Sequence, residues 1–466
     1  MSSTTPSQTM PTEQAAHGPR SERPVRAEIR ATMALAWPVI VSQLGVMAMG
    51  LVDVAFVAPL GADALGGTAI GNSAHWMVVT FGFGVLQALD PLLAQAWGAG
   101  ERDRLGTTVW QGIWLALFFG VAGMVLTLQP RWLFDVLAQP RAVGDLAASY
   151  LGALAPGIVP FLLFVVGRSL LAAMGITSPV MVITLLANLV NAGLDATLIH
   201  GWLGAPAMGV YGAGLATTLT RWAMVAALAW VVWRKRATID LRPVAPIAAR
   251  LRRLWSLGSP IATQNMAEFG VFGAASMFAG WLGASALAAH QIALNLAAFV
   301  FMVPVGISIA AAVRVGNAIG AGNPDGAALA GRVALGLGAG FMAIGGVVFL
   351  GAPALLASAF AGGDPVLVDL AAQLMRIAAA FQIADGIQVV ASGALRGAGE
   401  TRRPMVANLL AHWCFGLPLG WVLAFPLGMG VHGLWWGLTG SLVVAATLLA
   451  TLFLRGEWRR IGRVHA

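Results

Sequence analysis

Long apolar stretches run through almost the whole sequence and leave few alternatives for its fold. Of 466 residues, 58% are hydrophobic and only 10% are charged, whereas a soluble protein carries about 25% charged residues. A helix needs roughly 20 apolar residues to cross a bilayer core of about 30 Å. Twelve such stretches therefore predict an all-α polytopic membrane protein with twelve transmembrane helices. The predicted spans are 31–58, 66–96, 106–128, 147–173, 178–200, 208–233, 256–282, 286–317, 327–351, 366–395, 404–425 and 430–454.

The loops between these spans alternate in charge. The breaks at 102–104 and 396–403 carry arginines, while 201–207 and 282–286 carry no charge. Because loops rich in Lys and Arg stay in the cytoplasm, we expect both termini to be cytoplasmic in a bacterial inner membrane. The net charge of +8 lies in these loops and tails, so it indicates orientation and not binding to nucleic acid.

An internal repeat divides the chain into two halves. Pro38 and Pro260 differ by 222, and the same offset aligns LGADALGG (60–67) with LGASALAA (282–289). Each half has six spans, so the two halves share one orientation and are related by a pseudo-twofold axis along the membrane normal. This pattern predicts two six-helix bundles with substrate bound between them. The predicted domains are a disordered cytoplasmic tail 1–30, an N-lobe 31–233, a basic cytoplasmic linker 234–255, a C-lobe 256–455 and a cytoplasmic tail 456–466.

Five acidic residues in the predicted spans are candidates for functional sites, because a buried charge costs a few kcal/mol. They are Asp53, Asp90, Asp195, Glu268 and Asp385. In the fifth span, Asn188, Asn191 and Asp195 are spaced to share one helix face. Their oxygens suit a small alkali cation, although the carboxylate could instead carry a proton, since burial disfavours its charged form. Asp90 lies nearer a span end, where a structural ion pair with Arg314 is the favoured interpretation.

Prolines, histidines and one cysteine also stand inside predicted spans. Pro38 and Pro260 each remove a backbone hydrogen bond and kink their helix, and a static bend and a moving hinge both remain open. For His290 and His412 we favour hydrogen-bonded core histidines over proton relays. The single cysteine, Cys414, excludes an intramolecular disulfide and is expected to be a small buried side chain.

Together these features resemble the multidrug and toxic compound extrusion (MATE) transporters over roughly residues 30–455. The segments that carry the resemblance are WPVIVSQLGVMAMGLVDVAFVAPLG (37–61), AQAWGAGE (94–101), AAHQIALN (288–295), VRVGNAIGAG (313–322) and ALRGAGETRRPM (394–405). The resemblance implies a V-shaped pair of bundles that exports organic cations and drugs by antiport with Na+ or H+. It implies no enzymatic activity and no cofactor besides the coupling ion. We expect contact with membrane lipid and a monomeric state.

The resemblance also implies positions for ion coupling. In the N-lobe, the matching residues for a cation or proton site, with Na+ as a possible ligand, are Asp53, Asn191, Asp195 and Thr217. In another branch of the family the coupling acids lie in the C-lobe, and these match Glu268 and Asp385. The chain holds both sets, so either lobe is a candidate for coupling. The polar residues assigned to a possible substrate cavity are Asn188, Gln291 and Asn295.

Two alternative functions are weaker. A flippase for lipid-linked oligosaccharides would need arginine or lysine in the middle of the membrane to hold phosphates. The sequence interpretation finds only Arg376 and residues near span ends for that purpose. A membrane-embedded enzyme would need clustered metal ligands or a Ser/His pair, and no segment supplies either. The sequence also lacks a phosphate-binding G-x-x-x-x-G-K-[ST] loop, so nothing indicates the use of ATP.

Overall fold

The computed structural model describes residues 22–128, 140–236 and 238–464, and this part of the chain is helical, without strands. Twelve long helical segments follow one another, each close to a predicted span. They are α1 Glu22–Val57, α2 Ala62–Gly98, α3 Arg102–Thr127, α4 Arg141–Ala173, α5 Ser178–His200, α6 Gly209–Arg234, α7 Ala248–Trp281, α8 Ala284–Gly320, α9 Pro324–Gly351, α10 Pro365–Gly397, α11 Arg402–Ala424 and α12 Gly430–Leu454. Eleven of the described helices are long and apolar enough to cross a membrane, so the chain is a multi-pass membrane protein.

The helix outside this set of eleven is α7. It is 34 residues long, but Gln264, Asn265 and Glu268 lie near its middle and lower its mean hydropathy. A span with such polar residues must place them against other protein groups, because the bilayer core offers no hydrogen-bonding partners. In this structure Gln264 and Glu268 face polar side chains of the C-lobe.

Two domain boundaries differ from the prediction. Residues 22–30 are helical, although they were expected to belong to a disordered tail; residues 1–21 lie outside the described part. Residues 248–255 of the predicted linker likewise form the first turns of α7. Both segments are charged, and charge marks the end of the apolar span, not the end of the helix. Backbone hydrogen bonds continue α1 and α7 beyond the apolar region.

Three helices contain local interruptions. In α2, a turn at Gln87 and Ala88 separates a long helix from a second one of 10 residues. In α4, a 3₁₀ turn spans Ala155–Gly157. In α11, a seven-residue π-helix runs over Leu410–Gly416. Single π turns are often found near functional sites, and this one contacts α7 through Trp413, whose Nε1 donates to the Ala267 carbonyl at 3.1 Å.

Helices α1–α6 form the N-lobe and α7–α12 form the C-lobe. Within the C-lobe, α10 is central and packs against α8, α9 and α12. The two lobes meet mainly through α1 against α8 and through α2 against α7 and α8. These contacts lie at one end of the molecule, which carries the loops at 99–101 and 398–401 and the arginines that follow them, Arg102, Arg104, Arg402 and Arg403. We call this the basic end.

The lobes approach each other closely along a seam at the basic end. A Cβ atom on Gly84 in α2 would lie 2.4 Å from the Cα of Ala262 in α7, and one on Gly306 in α8 would lie 3.0 Å from the backbone nitrogen of Ile40 in α1. Only glycine permits backbones to pack this closely. Toward the other end, a Cβ atom on Gly50 in α1 would meet no other atom within 4 Å. Because the contacts between the lobes lie at the basic end, the two lobes form a V that is closed there and open at the other end.

Two further segments hold the lobes together at the basic end. The connection between α6 and α7 docks on α3, where Gln111 donates to the Ala245 carbonyl at 3.1 Å and accepts from the Ile247 N–H at 2.8 Å. Residues 457–464, which we call the terminal strap, start in the C-lobe, where Trp458 is buried. They end in the N-lobe, where the Val464 N–H donates to Gln95 at 2.7 Å. The strap crosses the seam.

Candidate functional site

The structure brings four predicted N-lobe residues together from three helices. Asp53 comes from α1, Asn191 and Asp195 from α5, and Thr217 from α6, and all four are buried. Thr217 Oγ1 donates to Asp53 Oδ2 at 2.9 Å. Asn191 and Asp195 interact with the same carboxylate. The spacing of four between Asn191 and Asp195 places both on the face of α5 that meets α1. We call these four residues the N-lobe cluster.

The N-lobe cluster contains more buried polar atoms than hydrogen bonds. Within the part of the chain that the structure describes, Asp53 Oδ1, both carboxylate oxygens of Asp195 and both amide atoms of Asn191 have no hydrogen-bond partner. Buried polar atoms are costly unless paired, and two neighbouring carboxylates repel each other unless a cation or a proton lies between them. Carboxylate, amide and hydroxyl oxygens are the ligands of hard cations. The donor set therefore fits Na+ or a proton.

The cluster does not resemble a site for a transition metal. Among the described residues, no group of three or more His, Cys, Asp or Glu side chains is arranged to hold a metal ion. The two acids come with an amide and a hydroxyl in place of imidazole or thiolate, which transition metals prefer. The chemistry of the ligands thus favours a hard cation over zinc or iron.

Next to the N-lobe cluster lies an arginine that the sequence interpretation missed. Arg221 stands in the middle of α6, one helical turn after Thr217, although the sequence interpretation had found only Arg376 and span-end residues as basic candidates within the membrane. Its Nη1 lies 2.9 Å from Nε2 of His75, which is fully buried in α2. Its guanidinium also lies over the Phe161 ring, 5.2 Å from the centroid. The sequence could have revealed Arg221, because this arginine stands near the centre of the predicted span 208–233.

In the C-lobe, Glu268 forms the centre of a hydrogen-bonded network. Its Oε1 accepts from Gln264 Nε2 at 3.2 Å and from Gln388 Nε2 at 2.8 Å. Gln388 also donates to Asn408 Oδ1 at 3.0 Å, so α7, α10 and α11 are joined. The three amides were missed in the sequence, although polar residues inside an apolar span are a readable signal.

Asp385, the second predicted C-lobe acid, lies one turn before Gln388 on α10 and is half-buried. Its charge interacts with that of Glu268, but among the described residues no hydrogen bond links the two carboxyl groups. The two acids therefore share a region without forming a direct pair. Glu268 accepts hydrogen bonds from two amides, whereas neither oxygen of Asp195 has a partner among the described residues.

A small cavity leads from Glu268 toward the basic end. Its volume is about 60 Å³, more than the roughly 10–15 Å³ that one water molecule needs. Its polar lining includes Gln264, Asn265, Glu268, Ser392, Arg396 and Glu400. The cavity is narrow compared with a drug-sized pocket of about 300 Å³ or more, so its dimensions suit water or a small ion.

The residues predicted for a substrate cavity lie in different surroundings. Asn188 is half-buried on α5 and donates to the Thr184 carbonyl at 2.8 Å. Gln291 and Asn295 are exposed on α8, four residues apart. Among the described residues no hydrogen bond joins Asn188 to the other two, which belong to the opposite lobe. Their role in binding substrate stays a prediction.

The predicted ion pair between Asp90 and Arg314 is wrong. Asp90 Oδ1 accepts from Ser169 Oγ at 2.6 Å. Arg314, at the basic end of α8, instead pairs with Glu28 of α1 through two hydrogen bonds of 2.8 and 2.6 Å. The reason is the helical start of α1, which carries Glu28 past the apolar span to the end of α8. Glu28 and Arg314 thus join the two lobes across the seam.

The two helix prolines lie beside the seam. Pro38 is two residues before Ile40, which packs against Gly306, and Pro260 is two residues before Ala262, which packs against Gly84. Both prolines lie inside continuous helices. The structure therefore places the two points of weakened backbone hydrogen bonding where the lobes meet.

The histidines form core hydrogen bonds, whereas the cysteine is not buried. His290 accepts from Trp435 Nε1 at 3.1 Å and lies 3.1 Å from Ser276 Oγ, and His412 lies 3.0 Å from Ser441 Oγ. The expectation that Cys414 is buried is wrong, since it is exposed. It belongs to the π-helix of α11, where the wider turn changes which residues face the lobe interior.

Sequence comparison with protein families finds one match that covers the chain in two parts. The MatE family model matches residues 38–197 and 260–422. The two matched segments begin at Pro38 and Pro260, the pair of prolines that marks the internal repeat. The chain therefore carries the MatE sequence pattern once in each lobe.

Relatives and solved structures agree with this match. The chain is 38% identical to "Probable multidrug resistance protein NorM" of Bradyrhizobium diazoefficiens, over 92% of this chain and 94% of the relative. It is also 39% identical to the protein of the same name from Rhodopseudomonas palustris, over 92% of each chain. A crystal structure of the eukaryotic MATE transporter AtDTX14 superposes with a TM-score of 0.85 at 22% identity, covering 94% of this chain and 98% of the other.

Proposed function

This chain belongs to the MatE family, whose members are transporters and not enzymes, and we propose that it exports organic cations and drugs by antiport with Na+ or H+. In this proposal the basic end faces the cytoplasm of a bacterium and the protein lies in the inner membrane. The lobes alternate between the observed V and a form open at the basic end. The names of the relatives, multidrug resistance proteins, support drugs as the substrate class.

The observation that carries the proposal is the set of five unpaired polar atoms in the N-lobe cluster. Two buried carboxylates, an amide and a hydroxyl provide a site that a coupling cation or a proton would complete. The cluster connects α1 to α5 and α6. Binding of the ion therefore changes how α1, which also forms part of the seam, packs inside its own lobe.

The proposed cycle follows from this connection. In this proposal the ion enters the N-lobe cluster from the open end of the V and draws Asp53 toward Asp195. Because α1 carries Asp53 and also packs against α8, this movement alters the cleft and weakens substrate binding. Linkage then requires ion and substrate to oppose each other by equal factors. Glu268 and Asp385 are two further acids, in the C-lobe. In this proposal they also bind the coupling ion.

The test uses purified protein in liposomes with a fluorescent organic cation and imposed Na+ or pH gradients, applied separately. Asp195→Asn should uncouple transport from the driving gradient, because the amide cannot hold a cation by charge or carry a proton. Asp63→Asn, at an exposed position at the start of α2, is the matched control and should behave like the unmodified protein. Normal gradient-driven transport by Asp195→Asn would refute the assignment.

The identity of the coupling ion is read from the same liposomes. Transport driven by a sodium gradient at constant pH would support a Na+ site at the N-lobe cluster. Transport driven only by a pH gradient would make Asp53 and Asp195 proton carriers. If neither gradient moves any organic cation, antiport of such substrates is the wrong function for this chain.

A further inference from the structure

We infer that Arg221 is a fixed counter-charge of the N-lobe cluster, and that it limits the cluster to one monovalent cation at a time. The inference rests on the proposed cation site and adds its charge balance. Arg221 is not among the residues that the sequence assigned to ion coupling. It does not touch the cation; it is a positioning residue that sets the electrostatic potential of the site.

The geometry of α6 places Arg221 next to the acids. Residues four apart in a helix lie on the same face, with about 5–6 Å between their Cβ atoms. Thr217, four residues before Arg221, donates to Asp53 at 2.9 Å. Arg221 therefore shares a face of α6 with Thr217 and lies one helical turn closer to the basic end. The charges of Arg221 and Asp53 interact.

His75 holds the arginine in this place. A guanidinium has hydrogen-bond donors and no acceptor, so in the 2.9 Å contact it is Nε2 of His75 that accepts. The imidazole must then be neutral, with its proton on Nδ1. The Phe161 ring lies under the guanidinium at 5.2 Å and favours the cation. An arginine with an accepting imidazole and an aromatic face keeps its charge and its direction.

The ionisable groups around the site then give a simple charge balance. They are Asp53 on α1, His75 on α2, Tyr150 on α4, Asp195 on α5 and Arg221 on α6. His75 is neutral by its hydrogen bond, and Tyr150 is a neutral phenol buried against Gly71. With both acids ionised, two negative charges and one positive charge remain. One Na+ or one proton makes the site neutral, and a second cation would make it positive.

The test removes the charge of Arg221 and keeps its hydrogen bond to His75. Full-length protein carrying Glu268→Gln and Asp385→Asn isolates the N-lobe acids. In this background, Na+ binding is measured calorimetrically, and proton binding is measured with a pH-indicator dye in weak buffer. Arg221→Gln retains a donor for His75, whereas Arg221→Lys retains the charge. A nearby charge changes the binding of a proton or cation to a carboxylate by about tenfold or more.

We expect one cation per protein when Arg221 is present. Arg221→Gln should bind its first cation about tenfold more tightly and should accept a second, and Arg221→Lys should restore the original behaviour. A merely structural arginine would change thermal stability without changing the number of cations. If the background protein with Arg221 unchanged binds two cations, the inference is overturned, whether or not Arg221→Gln folds.

A further variant separates this inference from the proposed function. Asp53→Asn should abolish the cation signal in the same background. If the signal survives Asp53→Asn, the proposed N-lobe site is wrong. If Asp53→Asn abolishes the signal but Arg221→Gln changes neither the affinity nor the number of bound cations, the N-lobe cation site is supported. The proposed role of Arg221 is then refuted.

Discussion

Adding one methyl group at Gly84 should push the closed seam apart. The new Cβ would lie 2.4 Å from the Cα of Ala262 and 2.9 Å from its backbone nitrogen, whereas ordinary contacts begin at 3.4 Å. Both atoms belong to the backbone of α7, so no side chain can rotate away. The lobes would have to separate by about 1 Å at this point to restore normal contact.

The size of the effect follows from this overlap. Forcing an extra methylene-sized group into a packed contact costs about 1–3 kcal/mol. Because the contact exists only when the basic end is closed, the cost applies to that conformation alone. The ratio of closed to open protein should fall by about 5- to 150-fold, which is the factor that corresponds to about 1–3 kcal/mol.

The assay is a distance measurement across the basic end. Spin labels are introduced by Asp103→Cys in the N-lobe and Ala321→Cys in the C-lobe, both exposed positions. Cys414 is replaced by alanine, since it is exposed and would also react. In Gly84→Ala, the distance distribution should shift toward longer distances.

A matched control lies on α7. Gly273 is helical, and a Cβ atom there would meet no other atom within 4 Å, so Gly273→Ala should leave the distribution unchanged. If Gly84→Ala matches the unmodified protein while folding normally, the seam does not hold the basic end closed and the reasoning fails.

Three further predictions concern contacts described above. Glu28→Gln and Arg314→Gln should each weaken the closed basic end by about 1 kcal/mol, a roughly fivefold change in the spin-label populations, and the double variant should add little if the two residues act as a pair. Val464→Asp places a charge at a buried position and should release the terminal strap, which faster trypsin cleavage within the strap would reveal; unchanged cleavage would contradict the docking. Thr217→Val removes the hydroxyl donor to Asp53 and should weaken ion-driven transport about tenfold, while Thr217→Ser should retain it, as gradient titrations would show.

The helices and the repeat were predictable because they depend on properties that a sequence displays directly. The length of an apolar stretch determines whether it can span the bilayer, and the 222-residue offset between Pro38 and Pro260 is visible without a structure. The grouping of Asn191 and Asp195 follows from helical spacing. The closeness of Asp53 and Thr217 was expected only from the family resemblance, and the structure places them together.

What escaped prediction depends on partners distant in sequence. Arg221 is an isolated arginine until His75 and Phe161 are placed beside it by the packing of three helices. The pair of Glu28 with Arg314 requires α1 to continue as a helix beyond its apolar part, and charge alone suggested a tail there. The amides around Glu268 come from three helices, so their common location could not be inferred from spacing within any one of them.

The docking of the connection between α6 and α7 has a mechanical consequence. Ile247, immediately before α7, is bonded to Gln111 of the N-lobe, while α7 itself packs against α8 and α11 of the C-lobe. A helix of 34 residues is about 50 Å long. If the attachment acts as a pivot, a rotation of about ten degrees displaces the far end of α7 by about 9 Å and its first turn by about 1 Å. The helix then works as a lever that turns small adjustments near its attachment into openings large enough for a flat aromatic molecule.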